Sequence, residues 1–164
     1  EIRKVIEEFG EERFARRVAQ AIETSRRETP ITRTAQLAAI VGSAVRTREP
    51  GKNPATRTFQ ALRMYVNDEL GQIERGLDAA FDVLAPGGRL AVISFHSLED
   101  RLVKHFFRAK ASEDPMYAGL PEIPAHARAT MRLVGKKRRA DAAEIARNPR
   151  SRSATLRVAE KLAS

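Results

Sequence analysis

The sequence predicts an α/β fold, in which a helical first half is followed by a strand, a helix and two further short strands. Apolar residues recur every three or four positions through most of residues 1–84, which is the spacing of one face of a helix. The turn Pro86-Gly87-Gly88 then leads into the almost continuous apolar run LAVISF at 90–95. Such a run is typical of a strand buried on both faces, as in a parallel sheet.

Two apolar faces predict the first two helices. Their residues are Ile2, Val5, Ile6 and Phe9 in the first, and Phe14, Val18, Ala21 and Ile22 in the second. Gly10 separates the two patterns, and Pro30 ends the second, because proline lacks the backbone N–H that a helix needs. Thr32 or Thr34 is expected to cap the third helix, since a threonine hydroxyl accepts a hydrogen bond from a free backbone N–H.

Asn53 and Pro54 predict the start of the next helix. Asn53 is a favoured N-cap residue, and Pro54 at the first helical position loses nothing by lacking an N–H. The helical spacing of apolar residues then continues from 59 to 84. This length predicts one long helix, or two in succession with a break near residues 67–71.

The strand at 90–95 is followed by a second helical pattern. Ser97 and Asp100 have the spacing of a capping box and predict that a helix starts there. Its apolar face consists of Leu98, Leu102, Val103, Phe106 and Phe107. The remaining elements are predicted as a proline-containing loop at 111–127, strands at 131–134 and 154–159, and a short helix at 141–147.

The charge of the chain indicates a polyanionic partner. The 164 residues include 30 Lys and Arg against 21 Asp and Glu, which gives a net charge of +9. Most of the excess lies in residues 121–164, where there are 11 basic and 4 acidic residues. The residues predicted to contact phosphates are Lys136, Lys137, Arg138, Arg139, Arg150 and Arg152. The alternative is a solvated basic segment, and charge alone does not decide between the two.

Several classes of site are excluded or disfavoured by composition. The absence of cysteine excludes disulfides and cysteine nucleophiles, and only three histidines are present, which disfavours a metal site. No run reaches the ~18 apolar residues that a membrane-spanning helix needs. The glycines form neither a G-x-G-x-x-G pattern nor a P-loop, so the chain has no glycine-rich cofactor loop of its own.

His96 and Ser97 are candidate site residues, because they follow the predicted strand at the point where a helix begins. Open α/β sheets bind ligands at this edge, and a helix N-terminus offers free N–H groups. His96 or Ser97 is therefore predicted to line a cofactor or base pocket. Capping of the helix is the structural alternative. A serine-hydrolase site is excluded, since the glycine-flanked nucleophile turn is missing.

Arg57 and Arg63 are further candidates for RNA contact, on the helix that follows Asn53 and Pro54. Six positions turn a helix by roughly 600°, so the two arginines lie on different sides. One of them is expected to point toward a ligand while the other packs or pairs. The alternative is that both are exposed helix arginines without a specific role.

Three segments resemble the bacterial small-subunit ribosomal RNA cytosine-N4 methyltransferases: NPATRTFQALRMYVNDEL, APGGRLAVISFHSLEDRLVK and NPRSRSATLRVAE. The resemblance extends over essentially the whole chain. It implies a class I (Rossmann-like) methyltransferase domain interrupted by a helical substrate-recognition insert. Residues 1–68 would be the insert and residues 69–164 the C-terminal part of the methyltransferase domain. The strand at 90–95 would be the fifth of its sheet, with the two later strands as an antiparallel end pair.

The resemblance also implies a function. Such enzymes transfer a methyl group from S-adenosyl-L-methionine to a cytidine of 16S rRNA in the small ribosomal subunit, in the cytoplasm, without membrane or metal. The family's cofactor loop and catalytic motif lie upstream of Glu1, so catalytic residues stay unknown and this chain alone is expected to be inactive. The alternative is a non-catalytic RNA-binding or ribosome-assembly module. The oligomeric state is not determined, and a homodimer stays open.

Overall fold

A computed structural model describes residues 1–45, 53–117 and 120–163. The chain divides into two compact units, Glu1–Glu69 and Leu70–Ser164, each with a hydrophobic cluster of its own. None of the helices in these ranges is both long enough and apolar enough to cross a lipid bilayer. The recognition role predicted for residues 1–68 and the methyltransferase role predicted for residues 69–164 stay predictions.

The first unit consists of four helices. They are α1 (Ile2–Gly10), α2 (Ala15–Glu28), α3 (Thr34–Ala44) and α4 (Thr56–Val66). Its buried cluster contains Ile6, Ala15, Val18, Ile22, Val41, Ala44, Val45 and Ala55. The apolar faces predicted for the first two helices are thus confirmed at their most buried positions. Burial of these side chains stabilises the unit by roughly 1.5–3 kcal/mol for each large aliphatic residue.

The start of α3 differs from the prediction. Neither Thr32 nor Thr34 caps the helix, which begins at Thr34 itself with Arg33 before it. The Oε1 atom of Gln36 accepts hydrogen bonds from the backbone N–H groups of Thr32 and Arg33, both at 3.0 Å. The expected threonine cap is therefore wrong, because a glutamine inside the first turn reaches back to these amides.

The start of α4 was also predicted too early. Asn53 Oδ1 accepts a hydrogen bond from the Ala55 N–H at 2.9 Å, and the helix begins only at Thr56. Asn53 and Pro54 thus form a turn ahead of the helix, since an asparagine side chain can close a turn on the amide two residues on. The predicted break near 67–71 is confirmed: α4 ends at Val66, and Asp68 has a φ of 48°.

The second unit combines helices with a small sheet. Its elements are α5 (Glu69–Val83), β1 (Arg89–Ser94), α6 (Ser97–Lys110), β2 (Met131–Leu133), β3 (Arg138–Arg139), α7 (Ala142–Arg147) and β4 (Thr155–Lys161). The first residue of α5, Glu69, is the last residue of the first unit. Short 3-10 helices lie at Pro115–Tyr117, Ala125–Ala127 and Pro149–Ser153. The predicted α/β class, strands and short helix are confirmed. The sequence pattern did not reveal β3.

The strands are all antiparallel to β4 within the described residues. β4 pairs with β1, β2 and β3, so the later strands form an antiparallel pair beside β1, as the resemblance implies. Helices α5 and α6 cover one face, where Leu77, Val103, Phe107, Met131 and Ala159 are buried. On the other face Ile93 is 58% exposed. The prediction that β1 is buried on both faces, as in a parallel sheet, is therefore wrong for this chain.

The backbone geometry of the turn before β1 requires glycine at positions 87 and 88. Gly87 has a φ of 78°, a left-handed conformation that other residues adopt only with strain. The Gly87 N–H donates to the Lys161 carbonyl at 2.8 Å, and the Lys161 N–H donates to the Gly88 carbonyl at 2.9 Å. A Cβ atom at Gly88 would lie 2.8 Å from the Ala85 carbonyl oxygen. The turn thereby joins the start of β1 to the end of β4.

Candidate functional site

A cavity of about 340 Å3 lies at the carboxyl end of β1, beside the N-terminus of α6. We call it the β1–α6 cavity. Its lining residues are Phe95, His96, Ser97, Asp100, Arg101, Lys104, Lys137, Arg139, Ser153, Thr155 and Arg157. The structure therefore brings together His96 and Ser97 with two members of the basic run, although these groups are far apart in the sequence.

His96 is the residue that caps α6. Its Nδ1 atom accepts a long hydrogen bond of 3.4 Å from the Glu99 N–H. Glu99 Oε2 accepts in return from the backbone N–H groups of Phe95 at 2.7 Å and His96 at 3.3 Å. The capping box expected from Ser97 and Asp100 is therefore wrong, because His96 and Glu99, each one residue earlier in the chain, form the box instead.

The Nε2 atom of His96 has no hydrogen-bond partner among the described residues. His96 Nε2 lies 3.2 Å from Glu99 Oε1, but the pair does not have hydrogen-bond geometry, and Nε2 is buried without another partner among the described residues. Burial raises the pKa of Glu99, but contact with His96 and the Phe95 N–H outweigh it and hold the pKa below its ordinary value. Glu99 is thus ionised at neutral pH, which suits its role as acceptor for the backbone N–H groups of Phe95 and His96.

Asp100 forms an ion pair with Arg157 that joins α6 to β4. Two parallel hydrogen bonds connect them, from Nε to Oδ1 at 2.6 Å and from Nη2 to Oδ2 at 2.9 Å. The Arg157 hydrogen bond lowers the pKa of Asp100 against the effect of burial, and Lys137 and Arg139 lower it further. The same hydrogen bond raises the pKa of Arg157. Arg157 is not among the site residues predicted from the sequence, because it is one of three charged residues in β4 and no local pattern distinguishes it from the others.

The basic run at 136–139 is divided by strand geometry. β3 pairs with β4, with Arg138 opposite Leu156 and Arg139 opposite Thr155. Because side chains alternate along a strand, Arg138 and Arg139 lie on opposite faces of β3. Arg139 and Lys137, which precedes the strand, line the β1–α6 cavity, and Arg138 does not. Lys136 lines a neighbouring cavity. The predicted cluster therefore contributes to two cavities.

Arg150 and Arg152 lie in the 3-10 helix that precedes β4, and both are exposed. The end of this helix, Ser153, lines the β1–α6 cavity. The helix is anchored by Ser151, a buried residue whose hydroxyl donates to the Asn148 carbonyl at 2.8 Å. These two arginines thus lie within three residues of Ser153 in the chain, and their contact with RNA stays a prediction.

Arg57 and Arg63 belong to the helical unit, where each contacts a neighbouring residue. Arg57 Nη1 donates to the Glu11 carbonyl at 3.1 Å, at the end of α1. Arg63 forms two hydrogen bonds with the Glu69 carboxylate, at 2.7 and 2.9 Å. Each arginine therefore has a structural role, and RNA contact by either stays a prediction.

No group of three or more acidic or histidine side chains in the described ranges is arranged to hold a metal ion. The β1–α6 cavity is instead dominated by cations: its lining includes five basic side chains and one carboxylate, Asp100. In chemical terms, this arrangement favours an anionic ligand such as a phosphate or phosphodiester.

Comparison with known proteins matches residues 1–162 to a family model described as the MraW methylase family. The chain is 52% identical to a protein of Dechloromonas aromatica (strain RCB) and 55% identical to one of Thioalkalivibrio sulfidiphilus (strain HL-EbGR7). Both relatives are named Ribosomal RNA small subunit methyltransferase H, and each alignment covers 99% of this chain. The chain spans about half the length of these relatives, 53% and 52% respectively.

Proposed function

Because the chain belongs to the MraW methylase family, we propose that it is the RNA-holding part of a small-subunit ribosomal RNA methyltransferase. The complete reaction would transfer a methyl group from S-adenosyl-L-methionine to N4 of a cytidine in 16S rRNA, in the cytoplasm. The observation that carries this proposal is the cationic β1–α6 cavity, which has His96 and Ser97 at its helix-side wall. Relatives named as ribosomal RNA methyltransferases support the substrate class.

The residues of this cavity do not fit S-adenosyl-L-methionine. The reactive sulfonium of that molecule is a cation, and Lys104, Lys137 and Arg139 would repel it. The sequence also has no glycine-rich loop to hold the adenosine. We therefore assign His96 and Ser97 to the base side of the proposed site, and we derive no step for these residues in holding the donor.

An exposed aromatic ring supports the assignment to the base side. The exocyclic amine of cytosine is a weak nucleophile, so an enzyme must unstack the base and hold the amine in one orientation. Phe95 is 54% exposed and lines the cavity next to His96. Aromatic side chains that are accessible in this way stack unpaired bases in RNA-binding proteins. We assign Phe95 to stacking and His96 to orientation of the base edge.

The basic residues around the cavity would hold the RNA backbone. In this proposal the contacts are made by Lys136, Lys137, Arg138, Arg139, Arg150 and Arg152. Contacts of this kind fix the position of the RNA without reading its sequence. Base selection would then depend on the pocket beside His96.

The proposal is tested with the full-length protein, isolated small-subunit RNA and S-adenosyl-L-methionine carrying a labelled methyl group. After incubation, the RNA is digested to nucleosides and analysed by mass spectrometry. We expect the label in N4-methylcytidine. Label on another nucleoside would contradict the cytosine-N4 assignment, and RNA binding without any methyl transfer would favour a non-catalytic RNA-binding module.

A further inference from the structure

A second cavity adjoins the β1–α6 cavity and extends it into a groove. Both have volumes of about 340 Å3, and Lys104, Lys137 and Arg157 line both of them. The second cavity is also lined by Phe107, Arg108, Leu133, Gly135, Lys136 and Val158. We call the combined feature the α6–β3 groove. Helix α6 forms one of its walls, and residues 135–139 form the other.

Both walls of the α6–β3 groove are cationic. Lys104 and Arg108 lie four residues apart on α6, so they share one face of that helix. The opposite wall carries Lys136, Lys137 and Arg139. Among the described residues that line the groove, the one acidic side chain is Asp100, and its carboxylate is taken up by Arg157. Lys137 and Arg139 interact with Asp100 electrostatically, whereas Lys104, Arg108 and Lys136 form no ion pair with this carboxylate.

Such an arrangement favours an anion that bridges the walls. Like charges held near one another repel, and the repulsion destabilises the fold unless a ligand of opposite charge lies between them. Lys104 and Lys137 line both cavities, Arg108 and Lys136 line only the second one, and Arg139 lines only the first. Because each cavity has cations of its own, a ligand that reaches both is matched best if it carries a negative group for each. Consecutive phosphates of a nucleic acid strand meet this requirement.

The surface of the groove also favours a single strand. Leu133 is 48% exposed in the outer cavity, and Phe95 is 54% exposed in the inner one. Cations that follow the backbone, combined with an accessible aromatic ring, are characteristic of sites for single-stranded RNA. A protein partner would need carboxylates in the positions that the phosphates take in this proposal.

We propose that the α6–β3 groove binds two consecutive phosphates of single-stranded RNA, with Lys104 and Arg108 as contacts on the α6 wall. The inner nucleotide would lie beside Phe95 and His96. This inference rests on the proposed function and deepens it, because it adds two residues of α6 to the contacts predicted from the basic run and gives the strand a path.

The test uses the full-length protein with the double substitution Lys104→Gln and Arg108→Gln. Its binding to a fluorescein-labelled, ten-nucleotide RNA of mixed sequence is measured by fluorescence anisotropy between 50 and 300 mM KCl. Each single-strand phosphate contact contributes about 0.7 to the slope of log Kd against log salt, so loss of two contacts should lower the slope by about 1.4. Lys104→Gln alone should lower it by about half as much.

Lys110→Gln is the matched control, since it removes the same charge from the same helix. The Lys110 ammonium lies over the rings of Phe81 and Phe106, at 4.4 and 5.6 Å, and does not line the groove. We expect this variant to keep the slope of the unsubstituted protein. Circular dichroism shows whether each variant is folded.

Three results separate the two proposals. An unchanged slope in the double variant, or an equal decrease in the Lys110→Gln control, would overturn the groove. A decreased slope in the double variant alone supports it. If the unsubstituted protein binds RNA through this groove but transfers no methyl group to ribosomal RNA, the proposed function fails and the groove remains.

Discussion

Replacing Asp100 with asparagine tests the ion pair that joins α6 to β4. The Asp100 and Arg157 side chains are only 21% and 19% exposed, and two short hydrogen bonds connect them. Hydrogen bonds to charged groups contribute about 1.5–3 kcal/mol each, and asparagine can retain part of one of them. We therefore expect Asp100→Asn to lower the free energy of unfolding by about 2 kcal/mol at pH 7.

The assay is urea unfolding followed by circular dichroism. For a urea dependence of about 2 kcal/mol/M, the expected loss shifts the midpoint by roughly 1 M. Glu160→Gln is the matched control, because Glu160 also joins strands through two arginines, Arg89 and Arg132, whose side chains are 63% and 66% exposed. Exposed pairs contribute little, so the midpoint of this variant should shift much less.

The effect should also depend on pH. The Arg157 hydrogen bond lowers the folded-state pKa of Asp100 below its ordinary value of 3.8. The stabilisation is therefore fully present above the unfolded pKa and is lost as the pH falls through the folded pKa. The difference between Asp100→Asn and the unsubstituted protein should shrink below about pH 4. Equal midpoint shifts in both variants, or a difference that persists at low pH, would refute this reasoning.

Three further predictions concern the site and the turn before β1. His96→Ala should lower the free energy of unfolding by about 1 kcal/mol and should also lower the rate of RNA methylation. His96→Asn should keep the cap and lower only the rate of methylation. An unaltered rate in the asparagine variant would show that His96 acts only as a cap. Replacing residues 136–139 with glutamine should weaken RNA binding across sequences and flatten its salt dependence, measured by anisotropy, and unchanged binding would contradict the predicted contacts. Gly87→Ala should destabilise the protein by about 1–2 kcal/mol because of its positive φ, while Gly76→Ala, inside α5 with open space around it, should stabilise it by up to about 1 kcal/mol in thermal unfolding.

Part of the candidate site could be predicted from the sequence. An apolar run followed by a polar helix start indicated that His96 and Ser97 lie at the edge of a sheet. The excess of basic residues indicated that the partner is a polyanion. The pattern did not show that Lys137 and Arg139 line the same cavity. Their position depends on the pairing of β3 with β4, and a two-residue strand made of arginines has no apolar alternation to reveal it.

Helix positions, the glycine turn and the excess of positive charge were determined by the sequence itself, because they depend on interactions between residues a few positions apart. The break at Asp68 and the helix of 142–147 are examples. Only the tertiary structure decided that Asp100 pairs with Arg157, 57 positions away, instead of capping α6. That choice depends on the register of β4 against β1, which places Arg157 opposite Val92 on the face that α6 covers. A local pattern contains no information about such a register, since it is fixed by the packing of the whole sheet.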